Sequence, residues 1–169
     1  MKPLSLATAV AAVVLSGCAA SPQQLACLQP NRRVEVEMGG IKLKPPPKNK
    51  PKAKPGRQAV IHKAIVQGNS AWDHGKAVLH ADGKKEIDKV LKLVKEGTRR
   101  DKRPTQVGSV IITGHSDAIE VSNGLTNLDE ERAKTVRDYL VTKGVNPKVI
   151  FWQGSDASKP MKVTKFCEG

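Results

Sequence analysis

The sequence predicts an α+β domain, and three segments carry the prediction. Ser109-Val110-Ile111-Ile112-Thr113 is a short apolar run of the buried-strand type, broken by Gly114-His115-Ser116-Asp117 into a loop. Leu128, Ala133, Val136, Tyr139 and Leu140 fall on one helical stripe that ends at Gly144. Val34-Glu35-Val36-Glu37 alternates apolar and charged side chains, the period of a half-exposed strand.

At the start of the chain, Lys2 supplies a positive region and Leu4 to Leu15 an apolar one too short to span a bilayer comfortably. Leu15-Ser16-Gly17-Cys18 is similar to the bacterial lipobox. That resemblance implies removal of residues 1–17 as a lipoprotein signal peptide, acylation of Cys18, and, with Ala19 next, sorting to the outer membrane. An ordinary cleaved signal with an incidental cysteine is the alternative. The mature chain would then have about 150 residues, enough for one domain with a modest core. The chain is strongly basic, with 29 Lys and Arg against 16 Asp and Glu. Much of that charge lies between Lys42 and Arg57, a Pro-rich stretch with no apolar period, expected to be an extended, solvated linker within residues 39–58. A basic surface can attract nucleic acid, but aromatic residues are scarce and no base-reading helix is evident, so nucleic acid is not expected as a partner.

Past the linker, Asp82 is placed to cap a helix whose stripe is Ile87, Val90, Leu91 and Val94, with Gly97 beyond its end. Asp117 then sits at a strand's exit. Thr126 and Asn127 offer caps to the next helix, Asp129 and Glu130 fill its first turn, and Arg132 projects toward the preceding loop. A carboxylate and a guanidinium so placed suit a zwitterion, whose ammonium needs the first and whose carboxylate needs the second. A structural salt bridge between loop and helix is the bland alternative.

Gly114-His115-Ser116-Asp117 and Leu128-Asp129-Glu130-Glu131-Arg132-Ala133, continued through Tyr139-Leu140, Lys143-Gly144-Val145, Val149-Ile150, Gly154 and Ser158-Lys159-Pro160, resemble the OmpA-like peptidoglycan-binding family. The resemblance implies a two-layer α+β sandwich with helices on one face of a four-stranded mixed sheet. It also implies that Asp117 and Arg132 grip the diaminopimelate of the peptidoglycan stem peptide, with Asp73 and Arg33 as secondary candidates. Ala59 to Gln67 resembles the family's opening strand, and Trp72 to Leu79 the segment after it. Residues 27–37 resemble the family's last strand and its approach, although they precede the rest. The implied arrangement is a circular permutation: residues 18–38 hold the lipidated start and the displaced last strand, and residues 59–169 the remainder of the domain. An unrelated strand-like tail is the alternative.

By the same resemblance, Cys27 and Cys167 would form a disulfide, leaving Cys18 for the lipid; two free or metal-binding thiols are the alternative. The chain departs from the family at Glu120, where Gly is usual, and at Leu125, where Asn is usual. The first departure adds a negative charge beside the expected ammonium site. No nucleophile elbow, zinc-hydrolase pair or phosphate loop is present, and His62, His74, His80 and His115 are scattered, so neither enzyme, cofactor nor metal is expected. The function implied is noncovalent anchoring of the outer membrane to peptidoglycan. A structural subunit of an envelope-spanning secretion or conjugation apparatus is the alternative.

Overall fold

The computed structural model describes residues 20–43, 59–155 and 157–161. The signal region, Cys18, Cys167 and most of the basic segment lie outside them. Ser21 caps a first helix, α1 (Pro22–Leu28), through a reciprocal capping box with Gln24, with Pro22 at its first position. A short turn at Gln29–Asn31 leads into β1 (Arg33–Lys42). Then come β2 (Ala59–Gln67), α2 (Ala81–Glu96), β3 (Thr105–His115), α3 (Ala118–Ser122), α4 (Leu128–Thr142) and β4 (Ile150–Gly154).

The sheet order is β2-β1-β3-β4, so the first strand of the chain lies inside the sheet. It runs antiparallel to both neighbours, pairing Val36 with Ala64 on one side and with Ile112 on the other. β3 and β4 are parallel, with Val110 opposite Ile150, and α3 and α4 fill the crossover that a parallel pair requires. This is the mixed four-stranded sheet expected, with β1 in its interior. β1 runs beyond residue 38, the expected end of the strand, because Gly39 and Gly40 let pairing continue through a register shift to Lys42. At Gly40 a Cβ would collide with the Gln106 carbonyl and the Thr105 side chain, so only glycine admits β3 at that separation.

One face of the sheet carries Val34, Val36, Met38, Ala64, Val66, Val110, Ile112 and Ile150. Against it pack Ile87, Val90, Leu91 and Val94 of α2 and Ala133, Val136 and Leu140 of α4. The two stripes predicted from helical spacing are therefore the two that are buried. The opposite face leaves Ile61, Ile65, Ile111 and Phe151 exposed. Trp72 is fully buried and donates its indole N–H to the Val66 carbonyl at 3.1 Å, so the segment leaving β2 is pinned to the core.

The start of α2 differs from that expected, and α4 starts after the expected Asn127 but lacks a side-chain capping bond. α2 begins one residue before Asp82, with His80 at its cap and no side-chain capping bond, and Asp82 pairs instead with Lys85. α4 is preceded by Asn127 in a left-handed conformation, φ 68°, again without a side-chain cap. The acidic first turns remain and favour the positive helix ends, so dipole and packing rather than a capping hydroxyl or amide start these helices.

β1 is bonded along both edges and supplies Val34, Val36 and Met38 to the core, so its loss removes the sheet's interior. A chain lacking residues 20–42 is expected to show no cooperative thermal transition by circular dichroism, whereas a tail-like strand would leave the melting curve nearly unchanged.

Candidate functional site

The charged cluster sits where β1 starts and β3 ends. β3 delivers Gly114 and His115 to the edge of the core, and the chain turns at Ser116 into α3, whose cap is Asp117. Asp117 and Glu120 form a capping box: the Glu120 N–H donates to Asp117 Oδ1 at 2.8 Å and the Asp117 N–H to Glu120 Oε2 at 3.1 Å. α4 crosses above the end of β3 at very close range. A Cβ on Gly114 would overlap the Asp129 carbonyl, and one on Gly154 the Asp129 carboxylate. These two glycines bring the first turns of α4 down onto the strand ends and carry Arg132 into the interior.

Arg132 is fully buried and its guanidinium is wholly engaged. Nη1 and Nη2 form a two-pronged pair with Glu120, at 2.8 Å to Oε2 and 2.7 Å to Oε1. Nη1 also donates to the His115 carbonyl, Nη2 to the Asp73 carbonyl and Nε to the Lys76 carbonyl. Gly75, at φ 69°, turns the 73–76 loop so that its own N–H reaches Glu120 Oε1 at 2.8 Å. The Trp72 ring lies 5.8 Å from the guanidinium carbon, within cation–π range.

Asp117 is equally buried but pairs elsewhere, with Arg32 Nη1 at 3.2 Å. Arg32, almost inaccessible, also donates through Nη2 to the Leu25 carbonyl and to the Asn69 side chain. Glu120 therefore lies between Asp117 and Arg132, on the guanidinium side rather than at the ammonium side where the sequence placed its charge. Two arginines and two carboxylates make a buried quartet of zero formal charge. His74, at its rim, places Nδ1 3.4 Å from Arg32 Nη1, 3.5 Å from Glu120 Oε1 and 3.8 Å from Asp117 Oδ2.

The other two sequence candidates lie apart from this quartet. Asp73 is half exposed and its carboxylate faces Lys76 and His80; only its backbone carbonyl touches Arg132. Arg33 points to the opposite face, bonding Glu35 at 2.9 Å and the Lys159 carbonyl at 2.9 Å. Arg32 and His74 were not among the site candidates, and Glu120 was read only as a charge added beside the ammonium site, yet Arg32 and the role of Glu120 left signals. Asp-x-x-Glu is a capping-box spacing, and the two-residue period that buries Val34 and Val36 also puts Arg32, not Arg33, on the helical face.

His74, Asp117 and Glu120 lie close enough to share a metal ion. Their carboxylate oxygens already accept N–H groups from Arg32 and Arg132, and two adjacent guanidinium charges oppose a cation. Burial by itself would raise the Glu120 carboxyl, but the hydrogen bonds and charge of Arg132, with the Gly75 and Asp117 N–H groups, outweigh it and hold the carboxyl below its ordinary value. Burial, reinforced by Arg33, lowers His115.

The arrangement defines an α+β domain with a buried charged junction of loop and helix above the strand ends. The OmpA family model matches residues 71–168, more than half of the chain, and the chain belongs to that family. The match begins after β1 and β2. Among curated relatives, the chain is 28% identical over 124 residues to outer membrane protein A of Bordetella avium, covering 73% of this chain and 59% of that protein. It is 28% identical over 89 residues to outer membrane protein A of Serratia marcescens, covering 53% of this chain and 23% of that protein. The chain thus spans less than two thirds of the length of these relatives. A solved OmpA-like domain of FopA1 from Francisella tularensis aligns at TM-score 0.43 and 22% identity, over 59% of this chain and 61% of that one.

Removing one member of a buried ion pair leaves the other uncompensated. Glu120→Ala is expected to cost about 3–5 kcal/mol in urea unfolding at neutral pH. Because the folded carboxyl is depressed, its contribution is complete above the ordinary glutamate pKa of about 4.3 and is lost as pH falls through the lower folded value. Glu120→Gln should flatten the acid limb of the stability curve; an unchanged limb would show that the pair does not set it.

Proposed function

We propose that this domain docks noncovalently on peptidoglycan and anchors an outer membrane to the wall. Asp117 would receive the ammonium of a diaminopimelate residue and Arg132 its carboxylate. The observation that carries the reading is the delivery of these two side chains, in an OmpA-family chain, to one junction where β3 ends and α4 begins. Of the remaining sequence candidates, Asp73 lies on the loop covering Arg132 and is accessible as a rim group, whereas Arg33 acts through the sheet's other face. The work is binding, with no bond made or broken.

Membrane attachment would come from acylation of Cys18, three residues before the Ser21 cap of α1. So short a tether holds the junction near the bilayer, since α1 supplies the Leu25 carbonyl to Arg32 within the quartet. Cys27 is disulfide-bonded, and we assign Cys167 as its partner. That bond closes a loop of 140 residues, 167 minus 27, and would secure the chain's first strand against its last segment. On a chain-entropy basis it contributes about 4–5 kcal/mol. Reduction of the purified chain is expected to lower stability by that order, and nonreducing peptide masses should contain a Cys27–Cys167 cross-link.

A second reading, a structural subunit of an envelope-spanning apparatus, is favoured by one observation: both ligand-gripping groups already hold internal partners. Co-sedimentation with purified sacculi separates the two. Wild type should pellet with sacculi, and Asp117→Ala and Arg132→Ala should each reduce apparent affinity by about tenfold or more, the loss of a charged hydrogen-bonding partner. Absence of wild-type binding, or binding indifferent to both substitutions, supports the apparatus.

A further inference from the structure

We infer that Glu120 and Arg32 are resident ligands of this site, the chain's own substitutes for the carboxylate and ammonium of the zwitterion it would bind. The inference rests on the peptidoglycan reading and adds a specificity-determining pair to it. A guanidinium has two flat edges, Nη1/Nη2 and Nε/Nη2, on which parallel N–H groups can meet a carboxylate. On Arg132 the first is filled by Glu120, both oxygens engaged within 2.8 Å. The second is committed to backbone, Nε to the Lys76 carbonyl and Nη2 to the Asp73 carbonyl. An external carboxylate therefore has no free edge to join and must displace Glu120.

The acidic pole is filled in the same way. Asp117 Oδ1 accepts the Glu120 N–H and Oδ2 accepts Arg32, so an incoming ammonium meets a guanidinium already on the oxygen it needs. The two resident groups come from different parts of the fold. Arg32 enters with the displaced first strand and Glu120 with α3, where the family pattern has Gly. The quartet is sealed from above by the 73–76 loop, whose Gly75 N–H holds the same Glu120 oxygen that binds Arg132. The His74 ring, partly exposed, marks the way in.

Such a site discriminates by requirement. A ligand bearing only a carboxylate or only an ammonium would free one resident group and leave its buried partner arrangement half broken. A residue carrying both charges exchanges both pairs together. Weak binding by the wild-type chain, restricted to zwitterionic ligands, is the expected result of intramolecular partners held at high effective concentration.

The test uses the full chain, purified sacculi containing diaminopimelate, and free diaminopimelate. Glu120→Gly and Glu120→Gln are expected to bind sacculi about tenfold or more tighter than wild type, and adding Arg132→Ala should abolish the gain. Glu131→Gln, an exposed charge change on α4, should bind as wild type. Glu120→Gln keeps the side chain's shape should Glu120→Gly unfold. In the wild-type chain, the Arg132 side-chain resonances should shift on titration with diaminopimelate as Glu120 is displaced. Equal binding by Glu120→Gln and wild type, while Asp117→Ala still weakens both, overturns the resident-ligand inference and leaves wall binding standing. Unchanged Arg132 resonances at saturation overturn it too. No binding by any variant removes both.

Discussion

The two-pronged pair between Arg132 and Glu120 is the contact on which the junction of this fold depends. A guanidinium with no solvent exposure is tolerated only if its charge is matched and its N–H groups are received. Here one carboxylate supplies the charge, and three backbone carbonyls, from residues 73, 76 and 115, receive the remaining hydrogens. Those carbonyls belong to a loop and a strand end that share no hydrogen-bond ladder with α4. Arg132 is thus the point at which helix, loop and sheet are held in one relative position, and Trp72 beneath it passes that position to the hydrophobic core.

The chain order gives this junction an unusual dependence. Arg32 precedes β1, the strand that comes first in the chain yet lies between β2 and β3. Two consequences share that single placement: Val34, Val36 and Met38 fill the core, and Arg32 reaches Asp117. Opening of β1 would expose both the sheet's interior and a buried carboxylate, so core stability and the integrity of the charged quartet rise and fall together. The capped helix α1, whose Leu25 carbonyl meets Arg32, is the local brace against it.

Periodicity made much of this legible. The stripes of α2 and α4 and the alternation in β1 are local patterns, and each identified a face that is buried. The convergence of Asp117 and Arg132 was also readable, since one ends a strand and the other starts a helix. Partner choice was less so, because it depends on where β1 lies and on how closely α4 approaches at Gly114 and Gly154. Arg32 and Arg33 are identical in sequence terms, yet a one-residue step in a strand sends one into the quartet and the other to Glu35 on the opposite face. The start of α2 was misread for a related reason: Asp82 is a good cap by residue type, but the helix begins where packing of its apolar stripe sets it, whereas Asn127 does hold the cap position of α4, without a side-chain bond.

Glu120 illustrates how one residue type can serve opposite ends of a charged site. Placed by sequence alone, an extra carboxylate next to Asp117 adds repulsion and strengthens cation binding. The capping box instead turns α3 so that the Glu120 backbone faces Asp117 while its side chain passes on to Arg132. The Asp117 N–H received by Oε2 then fixes the carboxylate's orientation, and the Gly75 N–H fixes its other oxygen. A carboxylate held by four N–H groups on two sides is preorganised, and preorganisation is what lets an intramolecular group compete with a ligand that must give up its own freedom to bind. On the proposed wall-binding reading, the affinity of this junction for a zwitterion would be governed less by the strength of Arg132 as a carboxylate receptor than by how firmly α3 and the 73–76 loop hold the carboxylate already there.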